Sequence, residues 1–245
     1  MENFEKYIPH LLELRKRLLH CCLAFVLVLI PLIIYSSELY TLIAQPILKT
    51  LPEGGMLIAT EVVTPFTTPI KLALFSSVFL LIPYFLYHLW SFVKPGLYKS
   101  EKRTIVPVIL LSVILFYTGM AFSHFLVCPL ALGFFSHVAP KGVTVMTDMS
   151  HYLDFVLVLY FAFGLSFQVP IITFLLIRLG ITSVATLKKQ RPFIIVAAFV
   201  IGMLLTPPDV VSQCLLAIPL LGLFECGLLM ARWLIPARKN VPLID

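Results

Sequence analysis

Residues 104–140 read TIVPVILLSVILFYTGMAFSHFLVCPLALGFFSHVAP, and no Asp, Glu, Lys or Arg interrupts them. A hydrocarbon core about 30 Å thick is crossed by about 20 helical residues rising about 1.5 Å each, so this run holds a complete membrane span and a loop besides. Outward from it, runs of the same kind occupy 18–37, 72–93, 155–177, 192–208 and 210–224. Sixty per cent of the 245 residues are apolar and 12% are charged, where a soluble domain carries about a quarter. Mean hydropathy is +1.02. Lipid penalises every charge and every unpaired backbone group, so the pattern excludes a soluble fold and specifies an all-α polytopic membrane protein. A nucleic-acid partner is excluded with the soluble fold.

The expected spans are 18–37, 72–93, 104–127, 153–177, 192–206 and 212–232, six helices in one integral membrane domain over 1–245. The last two are short. Residues 38–70 and 128–151 read as ordered caps on the exported side, the first of them rich in Pro and Gly. Pro31, Pro83, Pro170 and Pro219 fall inside spans, where each removes a backbone hydrogen bond and kinks its helix. The basic cluster Arg15, Lys16 and Arg17 precedes the first run as it would in a signal peptide. Tyr35-Ser36-Ser37-Glu38 offers no small-x-small cleavage site, however, and the run reads as a retained helix.

The net charge of +6 has meaning only by position. With the N-terminus inside, residues 1–17, 94–103, 178–191 and 232–245 hold four, four, four and three Lys or Arg, 15 of the 18. The positive-inside rule therefore places both termini in the cytoplasm.

Catalytic chemistry has little support. The five cysteines contain no C-x-x-C pair, the six histidines have no H-E-x-x-H spacing, and neither a G-x-S-x-G nor a phosphate-binding loop is present. The sequence thus indicates no metal, no cofactor and no enzyme. Cys128 and Cys214 read as thiols on the same exported side, with no distance to decide a disulfide.

The informative residues are polar ones in apolar surroundings. Glu13 lies off the Leu11, Leu14 and Leu18 stripe, four residues before Arg17, where an ordinary i,i+4 pair is worth a few tenths of a kcal/mol. Glu101 opens the third span and suits a helix N-terminus. Each is a lone carboxylate among cations on the cytoplasmic face. Asp148 and Asp209 precede spans and read first as N-caps. Gln168 stands mid-run, where a side-chain amide takes an interhelical hydrogen bond worth roughly 1 kcal/mol. Glu225 lies seven residues before Arg232, about 10 Å along the helix from the cytoplasmic end, and an ionisable group at that depth marks a functional candidate.

Five segments, His10-Leu-Leu-Glu-Leu-Arg-Lys-Arg-Leu18, Pro69-Ile-Lys71, Leu97-Tyr-Lys-Ser-Glu101, Phe163-Gly-Leu-Ser-Phe167 and Gly202-Met-Leu-Leu-Thr-Pro-Pro-Asp209, together closely resemble the TatC family, the polytopic subunits of the bacterial twin-arginine protein translocase. The resemblance runs over nearly the whole chain. It implies a receptor in the bacterial inner membrane for folded cargo carrying an Arg-Arg signal peptide, assembled with the single-span subunits TatA and TatB and driven by the proton-motive force. It assigns Glu13 and Glu101, with Arg15, Arg17 and Phe92, to signal-peptide binding at the cytoplasmic face. A bidentate guanidinium site is the physical means of telling Arg from Lys. It assigns Met203, Thr206, Gln213 and Gln168 to contact with a partner helix, and it associates Pro46, Phe92 and Asp209 with activity. Several relatives carry Glu at the place of Gln168, and an amide carries no titrating proton. The rival reading is a secondary transporter or channel for a small solute, which ordinarily shows midplane ionisable groups and inverted repeats.

Overall fold

In the computed structural model, residues 2–50, 57–93, 105–138, 147–205 and 210–234 are described. They are almost wholly helical. The order is α1 (Glu2–Ile34), α2 (Ser36–Thr50), β1 (Leu57–Ile58), α3 (Thr64–Leu80), α4 (Ile82–Val93), α5 (Ile105–Phe122), a π-helical turn (Ser123–Val127), α6 (Cys128–Val138), β2 (Thr147–Asp148), α7 (Met149–Ser166), α8 (Val169–Arg178), α9 (Val184–Lys189), α10 (Arg191–Leu205) and α11 (Val210–Leu234).

Among the described residues, four stretches are long and apolar enough to cross a membrane: Leu12–Ile34, Val106–Phe134, Met149–Arg178 and Gln213–Trp233. A fifth is the pair Thr64–Leu80 and Ile82–Ser91, bent by 46°. The remaining expected span, 192–206, corresponds to α10, a short apolar helix of 15 residues. At about 1.5 Å per residue it rises only about 22 Å.

The breaks in these rods have identifiable chemical causes. The bend after Leu80 lies where Pro83 withholds an N–H in the first turn of α4, and Ser77 Oγ bonds back to Ala73 O at 2.7 Å one turn earlier. The break between α7 and α8 repeats the device, with Pro170 at the start of α8 and Ser166 Oγ on Ala162 O at 2.7 Å. The π turn immediately precedes Pro129, and there the Cys128 N–H reaches Ser123 O, five residues back. α3 starts at Thr64, so Pro69 lies inside a helix although the sequence suggests a cap up to residue 70.

The chain divides into two compact units. The first comprises Met1–Ile114 and Leu132–Leu157. In it α1 packs on α3 and α4, α2 packs on α3, and Leu72, Ala73, Leu153 and Leu157 are fully buried. Two residues of parallel ladder, Leu57 with Thr147 and Ile58 with Asp148, join the segments that flank the spans. The second unit comprises Leu115–Ala131 and Val158–Asp245. Its centre is α8 and α10 against α11, with Phe116, Phe163, Ile171, Leu216 and Leu228 buried. A Cβ on Gly227 would stand 2.8 Å from Pro170 Cα, which measures how closely α11 approaches α8.

Candidate functional site

α1 continues well past the apolar run into the charged segment 12–17, because its Glu, Leu, Arg and Lys are all strong helix formers. That continuity stacks Glu13 over Arg17. The Arg17 guanidinium donates from Nε at 3.0 Å and from Nη2 at 2.6 Å, and both bonds fall on the same carboxylate oxygen, Oε1. Among the described residues Glu13 Oε2 carries no hydrogen bond. The third guanidinium nitrogen, Nη1, lies 3.4 Å from His88 Nδ1 on α4, at the long end of hydrogen-bond reach. The His88 ring is set by Tyr84 at 4.5 Å and Tyr87 at 5.5 Å, both edge-on, and stacks with His20 at 6.5 Å.

Beside this polar chain α1 and α4 enclose an apolar groove of about 610 Å³, lined by Leu14, Leu18, Phe25, Phe85 and Leu89 with Arg17 and His88. The arrangement offers a carboxylate oxygen for a cation together with a greasy surface for an apolar segment. Of the residues that the sequence assigns to this site, Glu13 and Arg17 are brought together, and Arg15 is exposed on the same helix. Phe92 falls in α4 with its side chain outside the description, and Glu101 lies outside the described residues.

The other candidates separate. Asp148 is an N-cap, as read from sequence: its Oδ1 accepts from Ser150 N at 2.8 Å and His151 N at 3.1 Å. It does more, because Oδ2 accepts from Thr60 N at 3.0 Å and Thr60 Oγ1 at 2.7 Å and so ties together the two segments that carry the short ladder. Glu225 receives Arg191 Nη2 at 2.6 Å and joins α11 to the start of α10. Gln168 occupies the N-cap position of α8, buried, with no side-chain hydrogen bond to the first turn of that helix. Met203 is exposed on α10, and a Cβ on Gly202 would lie 3.4 Å from Gln213 O, so α10 and α11 cross here. Pro46 falls in α2, its side chain outside the description, and Thr206 and Asp209 lie outside the described residues.

Sequence reasoning did not single out Lys71 with Asp154, which pair at 2.7 and 2.9 Å between α3 and α7, nor the His124 to Tyr160 hydrogen bond of the second unit. It also read His88 only as one scattered histidine. A lone carboxylate at the start of a span, as Asp154 is, was the available signal.

The profile described as "Sec-independent protein translocase protein (TatC)" matches residues 9–219. The chain belongs to the TatC family. A Sec-independent protein translocase protein TatC of Escherichia coli is 49% identical over 240 residues, which cover 98% of this chain and 93% of that one. The Haemophilus influenzae TatC is 51% identical over 236 residues, covering 96% and 92%. A crystal structure of a twin-arginine translocase receptor TatC superposes with a TM-score of 0.82 at 36% identity, covering 91% of this chain and 98% of that one. As a TatC family member the chain is a component of protein transport and a multi-pass protein of the inner membrane.

The Asp148 clamp has a pH signature. The Thr60 hydroxyl, then the Thr60 amide and the His151 amide, all favour the anion and hold the carboxyl well below the usual carboxylate range. Beside it, burial and the Asp148 charge push the Tyr40 phenol up to about 12, so that neighbour stays neutral. A lowered folded-state pKa means that the clamp is fully stabilising above the unfolded value of about 4 and is lost as pH falls through the folded value. Melting curves in detergent should therefore show Tm steady from neutral pH to about 4 and falling below it, whereas Asp148→Asn should start lower and lose that fall. Superimposable profiles for the two proteins would contradict the clamp.

Proposed function

We propose that this chain is the receptor and core subunit of a twin-arginine translocase, which binds the Arg-Arg signal peptide of folded cargo at the cytoplasmic face for export driven by the proton-motive force. The observation that carries this reading is Glu13, a carboxylate with one oxygen open among the described residues, beside the apolar groove of α1 and α4. A signal peptide presents the matching pair of features, a guanidinium followed by an apolar segment. Glu101 supplies the second carboxylate, with Arg15, Arg17 and Phe92 around the site. The chain crosses the membrane six times, α10 being the short crossing, with both termini in the cytoplasm.

Exposed Met203 with Gln213, Thr206 and the amide of Gln168 forms the contact for the single-span partners, TatA and TatB. Gln168 acts there through hydrogen bonding, since it has no proton to exchange in the physiological range. Photo-crosslinking from position 203 to a partner helix tests this face.

The deciding experiment titrates the purified, detergent-solubilised protein with a synthetic Arg-Arg signal peptide and with its Lys-Lys twin, in wild type and in Glu101→Ala. The Arg-Arg form is expected to bind about tenfold tighter, and the preference should shrink in the variant. Equal binding of the two peptides to wild type would remove the receptor reading for the isolated chain.

A further inference from the structure

Resting on that receptor reading, we infer that His88 is a positioning residue, which holds the Arg17 guanidinium so that it takes only one oxygen of Glu13 and leaves the other for the cargo's arginine. The geometry departs from the arrangement in which the two groups match best. The guanidinium fork matches the two carboxylate oxygens, and the favoured pairing places one N–H on each. Here Nε and Nη2 both converge on Oε1, at 3.0 and 2.6 Å. The distortion has a visible cause in Nη1, drawn 3.4 Å from His88 Nδ1. Because an arginine only donates, Nδ1 must be the acceptor, and the proton of the neutral ring sits on Nε2.

The ring is held for this task from another helix. Tyr84 and Tyr87, on the same face of α4, contact it edge-on at 4.5 and 5.5 Å, and His20 stacks on it from α1 at 6.5 Å. Without the tether, Arg17 can relax to the two-oxygen fork with Glu13, and the carboxylate then closes on its own helix. An incoming guanidinium would have to displace an internal one. His88 thus sets how much of Glu13 is offered to a ligand, while itself needing no contact with that ligand.

The test is a titration of the whole protein with the Arg-Arg and Lys-Lys signal peptides, in wild type, His88→Leu, His88→Gln, Arg17→Gln and the double variant His88→Leu with Arg17→Gln. Leucine keeps the bulk and removes the acceptor, so Arg-Arg affinity is expected to fall about tenfold, the scale of one hydrogen bond to a charged group. Glutamine restores an acceptor and should restore affinity. Whatever affinity Arg17→Gln leaves, adding His88→Leu to it should cause no further loss, because the guanidinium that His88 holds is already gone, a result that loss of packing at position 88 would not produce. Wild-type affinity in His88→Leu, a loss that His88→Gln shares, or an equal further loss when His88→Leu is added to Arg17→Gln, overturns the inference while leaving the receptor reading intact. A wild type that binds the two peptides alike overturns the receptor reading itself.

Discussion

Glu13→Lys is expected to abolish measurable binding of an Arg-Arg signal peptide. The substitution removes the acceptor, ends the two Arg17 bonds on Oε1, and sets a cation against the incoming guanidinium. A hydrogen bond to a charged group is worth about 1.5–3 kcal/mol, so losing the one to Oε2 weakens binding about ten- to a hundredfold before repulsion is counted. Folding should survive. The Glu13 side chain is 37% exposed, and its pairing with Arg17 is a surface i,i+4 contact of a few tenths of a kcal/mol. Glu13→Gln separates charge from acceptor: it keeps an oxygen and should retain binding about tenfold weaker than wild type. Peptide titration alongside a detergent melting curve reads both quantities. Binding by Glu13→Lys within a few-fold of wild type would exclude Glu13 from the site.

What was legible in the sequence was whatever depends on neighbours along one helix. The charge-free runs locate the apolar helices because lipid acts on each segment separately. Pro83 and Pro170 stand at actual breaks because a missing N–H is a local defect, whereas Pro31 and Pro219 lie within α1 and α11, which run on through them; the four-residue spacing of Glu13 and Arg17 is itself a contact prediction. Asp148 was readable as a cap for the same reason. Its second oxygen was not, since Thr60 is 88 residues away and reaches it only through the short ladder of Leu57 and Ile58 with Thr147 and Asp148. Lys71 and Asp154, 83 residues apart, pair only because α3 and α7 are packed, and nothing in either neighbourhood announces the partner. His88 is the sharpest case. In sequence it is one of six histidines, and it gains meaning only when α4 lies against α1 and puts its imidazole beside Arg17.

The same limit applies to Phe163-Gly-Leu-Ser-Phe167, which the sequence offers as a family signature and the structure explains as a helix crossing. Gly119 on α5 meets this segment so closely that an added Cβ would stand 2.6 Å from Phe163 O and 2.9 Å from the Phe167 ring. One turn away the relation reverses, and a Cβ on Gly164 would stand 2.7 Å from the Phe116 ring. Each helix thus places a glycine under the other's phenylalanine, which lets the backbones approach where no hydrophobic force distinguishes protein from lipid. Gly119→Val is therefore expected to destabilise the protein by about 3 kcal/mol, the upper part of the range for overpacking, because a backbone carbonyl cannot swing aside as a side chain can. Gly164→Ala should cost less, since its obstacle is a ring that can turn. An added Cβ at Gly133 or Gly222 meets nothing within 4 Å among the described residues, so Gly133→Val and Gly222→Val should melt like wild type. Melting temperatures of the four variants in one detergent order these effects, and a Gly119→Val protein as stable as Gly222→Val would show that α5 and α7 do not cross at this glycine.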